Sequence, residues 1–190
     1  MKEITASVAA ILIADTPDTF ITRRLPETKL EFGGIPGDRH FGVTFGADSR
    51  QKMYPRGTEI LNRRQITVVS EEDCARIAEN LGIPTVLPEW LGANLLISGF
   101  PDLTSLALGS RILLPSGAGL ICMGENLPCL HPGEEIEKNY DEEEHPKLAA
   151  RFVKAAYKRR GIVCAVECPG AIKVGDAAQV LINNYANPMQ

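Results

Sequence analysis

Cys129 lies in the run Asn126-Leu127-Pro128-Cys129-Leu130-His131-Pro132-Gly133. Pro128 fixes its own φ and biases Leu127 towards extended geometry. Pro132 does the same to His131, so the run reads as a stiff loop, neither helix nor central strand. A thiolate on such a loop, just after the apolar segment 120–123, can act as a nucleophile, a persulfide carrier or a soft metal ligand if a cation lies near it. The competing reading is a buried structural cysteine, the commonest fate of a free thiol.

Gly37-Asp38-Arg39-His40-Phe41-Gly42 forms a second cluster. Two glycines flank an acid, a base and an imidazole, in a turn whose backbone N–H groups can face a ligand. The plainer alternative is a turn in which Asp38 caps backbone amides and His40 is half exposed. Arg63, Arg64 and Arg160 are candidates for an anion pocket, because guanidinium forks match phosphate and carboxylate geometry. Against that, Arg159 and Arg160 end a predicted helix whose dipole already favours cations, and most surface arginines are simply solvated. Asn94 opens a strongly apolar strand, where its amide must find partners in a neighbouring strand or in a ligand.

Cys122, Cys129, His131, Cys164 and Cys168 offer soft metal ligands, but no C-x2-C pair with a matching second half occurs, which argues against a structural zinc. The spacing of Cys164 and Cys168 places both sulfurs on one face of a predicted strand. No phosphate-binding glycine loop, HExxH or GxSxG motif is present.

The elements that must position these residues are mostly strands. Short apolar runs punctuated by Gly, Pro or Asp predict strands at 4–14, 29–32, 66–70, 94–98, 111–114, 120–123, 162–167 and 178–182. Many short strands with few helices point to a barrel or a tightly curled sheet. Ser70-Glu71-Glu72-Asp73 resembles a capping box, after which Cys74, Ile77, Ala78 and Leu81 keep helical spacing until Gly82. A second helix is predicted at about 146–160, with acids at its start, Lys158 to Arg160 at its end and Gly161 as the stop. A short third helix is predicted near Pro88. The segment 42–64 reads as a long loop and 134–144 as a second surface excursion.

The chain has 190 residues, 44% hydrophobic and 23% charged, enough for one α+β domain with its own core. A net charge of −4 argues against a general nucleic-acid or membrane-surface binder, and no apolar run reaches membrane-spanning length. The apolar stretch 6–14 follows Lys2 as a signal core would. Glu3 cancels that charge and no cleavage site follows, so a buried strand is the better reading. Five cysteines without scaffold spacing and without an export signal place the protein in a reducing cytoplasm.

The clusters also stand in a telling order. Gly37-Asp38-Arg39-His40 is followed by Asn62-Arg63-Arg64-Gln65-Ile66 and Ser70-Glu71-Glu72. Then come Glu89-Trp90-Leu91-Gly92-Ala93-Asn94-Leu95, Asn126-Leu127-Pro128-Cys129, Arg160-Gly161-Ile162-Val163 and Gly170-Ala171-Ile172-Lys173-Val174-Gly175-Asp176. Over about residues 30–182 this set resembles the MOSC domain, named after the C-terminal domain of molybdenum-cofactor sulfurase, in a short stand-alone form.

The resemblance implies a mainly β (α+β), barrel-like, strand-rich single domain with two or three peripheral helices. It implies that Cys129 either carries sulfur or ligates the molybdenum of a pyranopterin cofactor, as in relatives that reduce N-hydroxylated compounds. By position Asn94 and Arg160 match pocket residues of the family pattern, His40 the histidine of its Gly-Asp motif and Arg64 the arginine before the glutamine of the central strand. The expected catalytic residues are Cys129 and His40, and the expected cofactor-binding residues are Asn94, Arg160, Arg64 and, from their own clusters, Asp38, Arg39 and Asn126. A molybdenum centre already held by dithiolene sulfurs would accept one further thiolate, and arginines would bind the pterin phosphate. No iron–sulfur C-x4-C-x2-C spacing occurs, so a redox role needs a separate electron donor, and a carrier role needs a sulfur donor protein. The expected ligand is the cofactor or a small N-oxygenated substrate, with no nucleic acid or membrane as partner and the oligomeric state open. Three functions follow: a cofactor-dependent reductase, a persulfide carrier, or a module that only docks a ligand or partner.

Overall fold

Residues 2–183 are described in the computed structural model. The first strand, β1 (Lys2–Ile13), explains the N-terminal apolar run, because from Ala10 to Ile13 it is buried on both faces. Ala6 and Val8 point into the barrel core, and so do Ile11 and Ile13, while Ala10 and Leu12 face a second cluster outside. The switch from even to odd positions coincides with a bulge between Val8 and Ala10, whose extra residue flips the side-chain alternation.

β1 pairs with β12 (Ala177–Ile182) through its first half and with β7 (Leu95–Ser98) through its second. From β12 the sheet continues through β8 (Arg111–Leu113), β9 (Gly119–Glu125), β10 (Ile162–Cys168) and β6 (Ile66–Ser70) back to β7. Seven strands thus close into a barrel, antiparallel except for β6 beside β7. Closure removes the unpaired edges that so many short strands would otherwise expose. β2 (Arg23–Leu25) pairs with the end of β1. Two ribbons lie outside: β3 (Glu27–Leu30) with β11 (Gly170–Lys173), and β4 (Thr44–Gly46) with β5 (Glu59–Leu61). The predicted long loop 42–64 therefore contains a strand pair.

Among the described residues three α-helices flank the barrel. α1 (Glu71–Leu81) forms as its sequence predicts. The Ser70 hydroxyl accepts the Asp73 amide at 3.1 Å, Gly82 closes the helix at φ 72°, and Cys74, Ile77, Ala78 and Leu81 are buried. The predicted helix near Pro88 is instead a string of tight turns, with Trp90 N–H donating to Leu87 O and Leu91 N–H to Pro88 O. The predicted helix 146–160 is shorter, α3 (Leu148–Ala155). Lys147 at φ 56° turns the chain in and Lys158 at φ 60° turns it away, so Lys158 to Arg160 are not in the helix.

The largest correction concerns the run around Cys129, half of which is helical. α2 (Leu130–Glu137) begins immediately after the cysteine. Pro132 does not break it, because it sits in the first turn, where no intrahelical N–H is needed. α2 lies hard against α3. A Cβ added at Gly133 would stand 2.8 Å from Ala149 O and from Phe152 Cβ, so only glycine allows the approach.

Candidate functional site

Five cysteines occupy two kinds of place. Cys74, Cys122 and Cys164 are buried, whereas Cys129 and Cys168 are exposed. Burial pushes the Cys74 thiol up to about 12 and also raises those of Cys122 and Cys164, which keeps all three protonated and inert. The expectation that Cys164 and Cys168 share a face fails. β10 shifts register against β9 between Val166 and Cys168, and the second sulfur turns out to solvent.

Cys129 is the N-cap of α2, in extended backbone with φ −135° and ψ 175°, and its side chain makes no capping hydrogen bond. The thiol is free to do something else. The first-turn N–H groups of Leu130 and His131 have no intrahelical acceptor, and together with the helix dipole they favour negative charge beside the sulfur.

Two guanidinium groups interact electrostatically with Cys129, those of Arg64 and Arg160. Arg160 is only 7% exposed; its Nη2 donates to Leu91 O, while its Nη1 is buried without a hydrogen-bond partner. Burial pulls its pKa down to about 10, Cys129 and then Cys74 pull it back up, and Arg64 pushes it further down. Arg64 is half-buried and lowered chiefly by burial, then by the charge of Arg50. Neither arginine forms an ion pair with a carboxylate among the described residues. Arg159 next door does, reaching Asp102 at 3.0 Å and Asp73 at 3.6 Å, so adjacent arginines serve different sites. Gly161 makes this divergence possible at φ 85°, where a Cβ would fall 2.1 Å from Val68 O.

Amide side chains stitch the surrounding loops together. Asn62 donates to His40 O at 2.8 Å and Gly42 O at 3.0 Å, and its oxygen accepts the Arg64 backbone amide at 3.0 Å. Arg64 Nη2 donates to Asn126 Oδ1 at 2.9 Å, and Asn126 N–H to Gly161 O at 2.9 Å. Positions 40, 62, 64, 126 and 161, far apart in the chain, are thereby tied to one another and to the run that carries Cys129.

Asp38 is a separate hub, with a side chain wholly shielded from solvent. Its Oδ2 accepts Ala14 N–H and Asn94 Nδ2, each at 2.8 Å; its Oδ1 accepts His40 N–H at 2.8 Å and lies 3.1 Å from His40 Nδ1. Burial pushes its pKa up, but the hydrogen bonds from His40 and Ala14 outweigh that and hold it below the usual carboxylate value. The charged form is therefore the one the fold selects.

Two grooves lie elsewhere, against β3 and β11. One of about 390 Å³ is lined by Lys29, Phe32, Phe41, Val43 and Pro169. Another of about 520 Å³ is lined by Glu27, Thr28, Ala171 and Lys173. Among the described residues no group of three or more His, Cys, Asp or Glu could hold a metal ion. No described helix is long and apolar enough to cross a membrane.

Residues 36–179 match the MOSC domain. The chain belongs to the MOSC domain family. It is 54% identical, over 94% of its length and 92% of the other's, to a Bacillus subtilis protein named "Putative metal-sulfur cluster biosynthesis proteins YuaD". The crystal structure of the YuaD protein from Bacillus subtilis superposes with TM-score 0.91 at 53% identity, covering 96% of this chain and 98% of that one. YiiM from Geobacillus stearothermophilus shares the fold, with TM-score 0.60 at 14% identity, covering 94% of this chain and 75% of that one.

Within this MOSC fold the residues singled out from the sequence fall into two groups. Cys129, Arg64, Arg160 and Asn126 converge at the start of α2. Asp38, Asn94 and His40 meet at the end of β1. There the Asn94 amide is occupied inside the protein, donating to Asp38 and accepting the Thr67 amide at 3.0 Å. His40 joins the first group only through its carbonyl, and its ring is 41% exposed. Arg39 and Arg63 are exposed, and Arg39 contributes its backbone N–H to Ala14 O at 2.9 Å. Sequence reasoning did not single out Asn62 or Gln65, which joins Phe32 O to Val166 N–H. The signal in the sequence was slight: two amide residues stand just before the apolar run of β6, and only the fold shows that both are buried.

Proposed function

We propose that this MOSC protein handles the sulfur of a metal–sulfur centre through Cys129, which accepts a sulfane sulfur as a persulfide and passes it on. One observation carries the reading: among the described residues Cys129 is the exposed thiol that interacts electrostatically with two guanidinium groups, neither of them in an ion pair with a carboxylate, although Asp48, paired with Arg50, also acts on Arg64. A persulfide is anionic at neutral pH, and a helix N-terminus with two nearby cations stabilises it against loss or protonation. The name of the Bacillus subtilis relative supports the same direction. Cytoplasmic location and a separate sulfur donor protein belong to this proposal.

A second reading has its own observation in favour. A molybdenum pyranopterin group brings its own dithiolene sulfurs, which suits a site offering one accessible thiol and no cluster of protein metal ligands. Its phosphate suits the buried Arg160 Nη1, which has no partner. Cys129 would then hold the metal, with Arg160, Arg64 and Asn126 beside it, and the bound group would supply two-electron redox chemistry towards N-hydroxylated substrates.

Protein made in cofactor-competent cells separates the two. A mass gain of one sulfur on the Cys129 peptide without metal supports the carrier. Molybdenum near one per chain, lost in Cys129→Ala, supports the cofactor reading. Neither signal, with a normally folded variant, rejects both.

A further inference from the structure

Positive charge outweighs negative charge around Cys129: Asp48, the carboxylate that acts on Arg64, is paired with Arg50, and among the described residues no carboxylate acts on Arg160. Arg160 is buried with one terminal nitrogen unpartnered, and Arg64 spends Nη2 on the Asn126 amide. No carboxylate pairs with either guanidinium among the described residues. The first-turn N–H groups of α2 add donors beside the sulfur. Burying a cation without a counter-charge is costly, and a protein that keeps one is arranged for an anion that arrives from outside. The anion must also tolerate the thiolate, which is itself negative; the two arginines offset that repulsion.

From this arrangement we infer that Cys129 takes its sulfur from a small sulfane-sulfur dianion of the thiosulfate type, whose sulfonate end is held by the charge of Arg64 and Arg160. The inference rests on the carrier reading and adds the class of donor. The Cys129 thiolate attacks the outer sulfur of thiosulfate and forms the Sγ–S bond. The bond between that sulfur and the sulfonate sulfur breaks, and sulfite leaves with its electron pair. Thiolate plus thiosulfate gives persulfide plus sulfite, with three negative charges on each side and no external oxidant or reductant. The arginines act where charge is retained on the leaving group, which is where fixed cations contribute to rate. Arg64, half-buried and therefore reachable from solvent, is the guanidinium assigned to the sulfonate; Arg160, only 7% exposed, acts as a fixed positioning charge.

The test uses the full chain and two donors, thiosulfate and the persulfide of 2-mercaptoethanol, whose leaving group has no sulfonate. Sulfite release and the mass of the Cys129 peptide are read for wild type, Arg64→Gln and Arg160→Lys. Melting temperature checks that each variant folds. The expected result is one added sulfur on Cys129 and one sulfite released per chain. Arg64→Gln should slow loading from thiosulfate about tenfold or more, as loss of a charged hydrogen bond does, and slow loading from the second donor much less. Arg160→Lys, which keeps the charge, should retain most of the thiosulfate rate. Loading from the 2-mercaptoethanol persulfide but not from thiosulfate would overturn the donor class and leave the carrier reading standing. The same holds if Arg64→Gln slows both donors equally. Loading from neither donor, or sulfur found on Cys168 alone, would overturn both.

Discussion

At Cys129 function and stability separate, because the side chain is exposed and caps nothing. Cys129→Ser should abolish sulfur loading while changing folding stability by no more than about 0.5 kcal/mol, as surface substitutions do. A thermal melt beside the mass measurement checks both halves. A large drop in melting temperature would mean that the thiol is structural. The cations around the sulfur give a second residue-scale prediction, with Cys168 as an internal control for exposure. At low salt the rate ratio of anionic iodoacetate to neutral iodoacetamide should be about threefold to tenfold higher at Cys129 than at Cys168. It should shrink as ionic strength rises. Equal ratios at the two thiols would show that Arg64 and Arg160 do not shape the site. The sequence pointed to Cys129, Arg64 and Arg160 separately, but their meeting is tertiary. Residues 64, 129 and 160 converge only once β6, α2 and the turn before β10 are packed, and no local spacing encodes that.

At the scale of elements, α2 carries the site, and its seat is the glycine contact with α3. Gly133→Ala would gain helix propensity of about 1 kcal/mol. Its Cβ would also stand 2.8 Å from Ala149 O and Phe152 Cβ, a clash that overpacking studies put at about 1–3 kcal/mol. We expect a lower urea midpoint together with slower loading at Cys129, since moving α2 moves its N-cap. A raised midpoint would mean that the helices are not in close contact. This helix was also the element least legible in the sequence. Pro128 and Pro132 read as breakers, and a cysteine N-cap is a weak start signal, so only the tertiary contact at Gly133 reveals why the chain coils there. α1 was fully legible, because Ser70, the apolar spacing and Gly82 are all local signals. The strands of the barrel were legible in their apolar runs, even β7 and β8 at four and three residues, whereas β2, β4, β5 and β11 are mostly exposed and carry no apolar run.

Across the whole molecule, Asp38 ties the end of β1 to the residue before β7 and to the His40 turn. Its folded pKa lies below the ordinary carboxylate value, so its contribution to stability is complete above about pH 4. That contribution is lost as pH falls through the folded value. Asp73, raised mainly by burial, has the opposite sign: its contribution is complete at low pH and lost as pH rises through its folded value. Asp38→Asn should therefore lower the urea midpoint more at pH 7 than near pH 3, and a gap that is constant or wider in acid would contradict the assignment. Barrel closure by β1 and β12 was anticipated only as a class of fold. The register that joins Lys2 to Ile182 spans nearly the whole chain and leaves no local trace.

All these scales converge on the state of one sulfur atom in the protein as cells make it. Mass spectrometry of the Cys129 peptide, from protein purified without reductant and without air, reads that state. The expected result is a population carrying one additional sulfur on Cys129, removed by dithiothreitol and absent from Cys168. An unmodified thiol at Cys129 that also stays unmodified after exposure to sulfane donors would contradict the carrier function proposed for this MOSC protein.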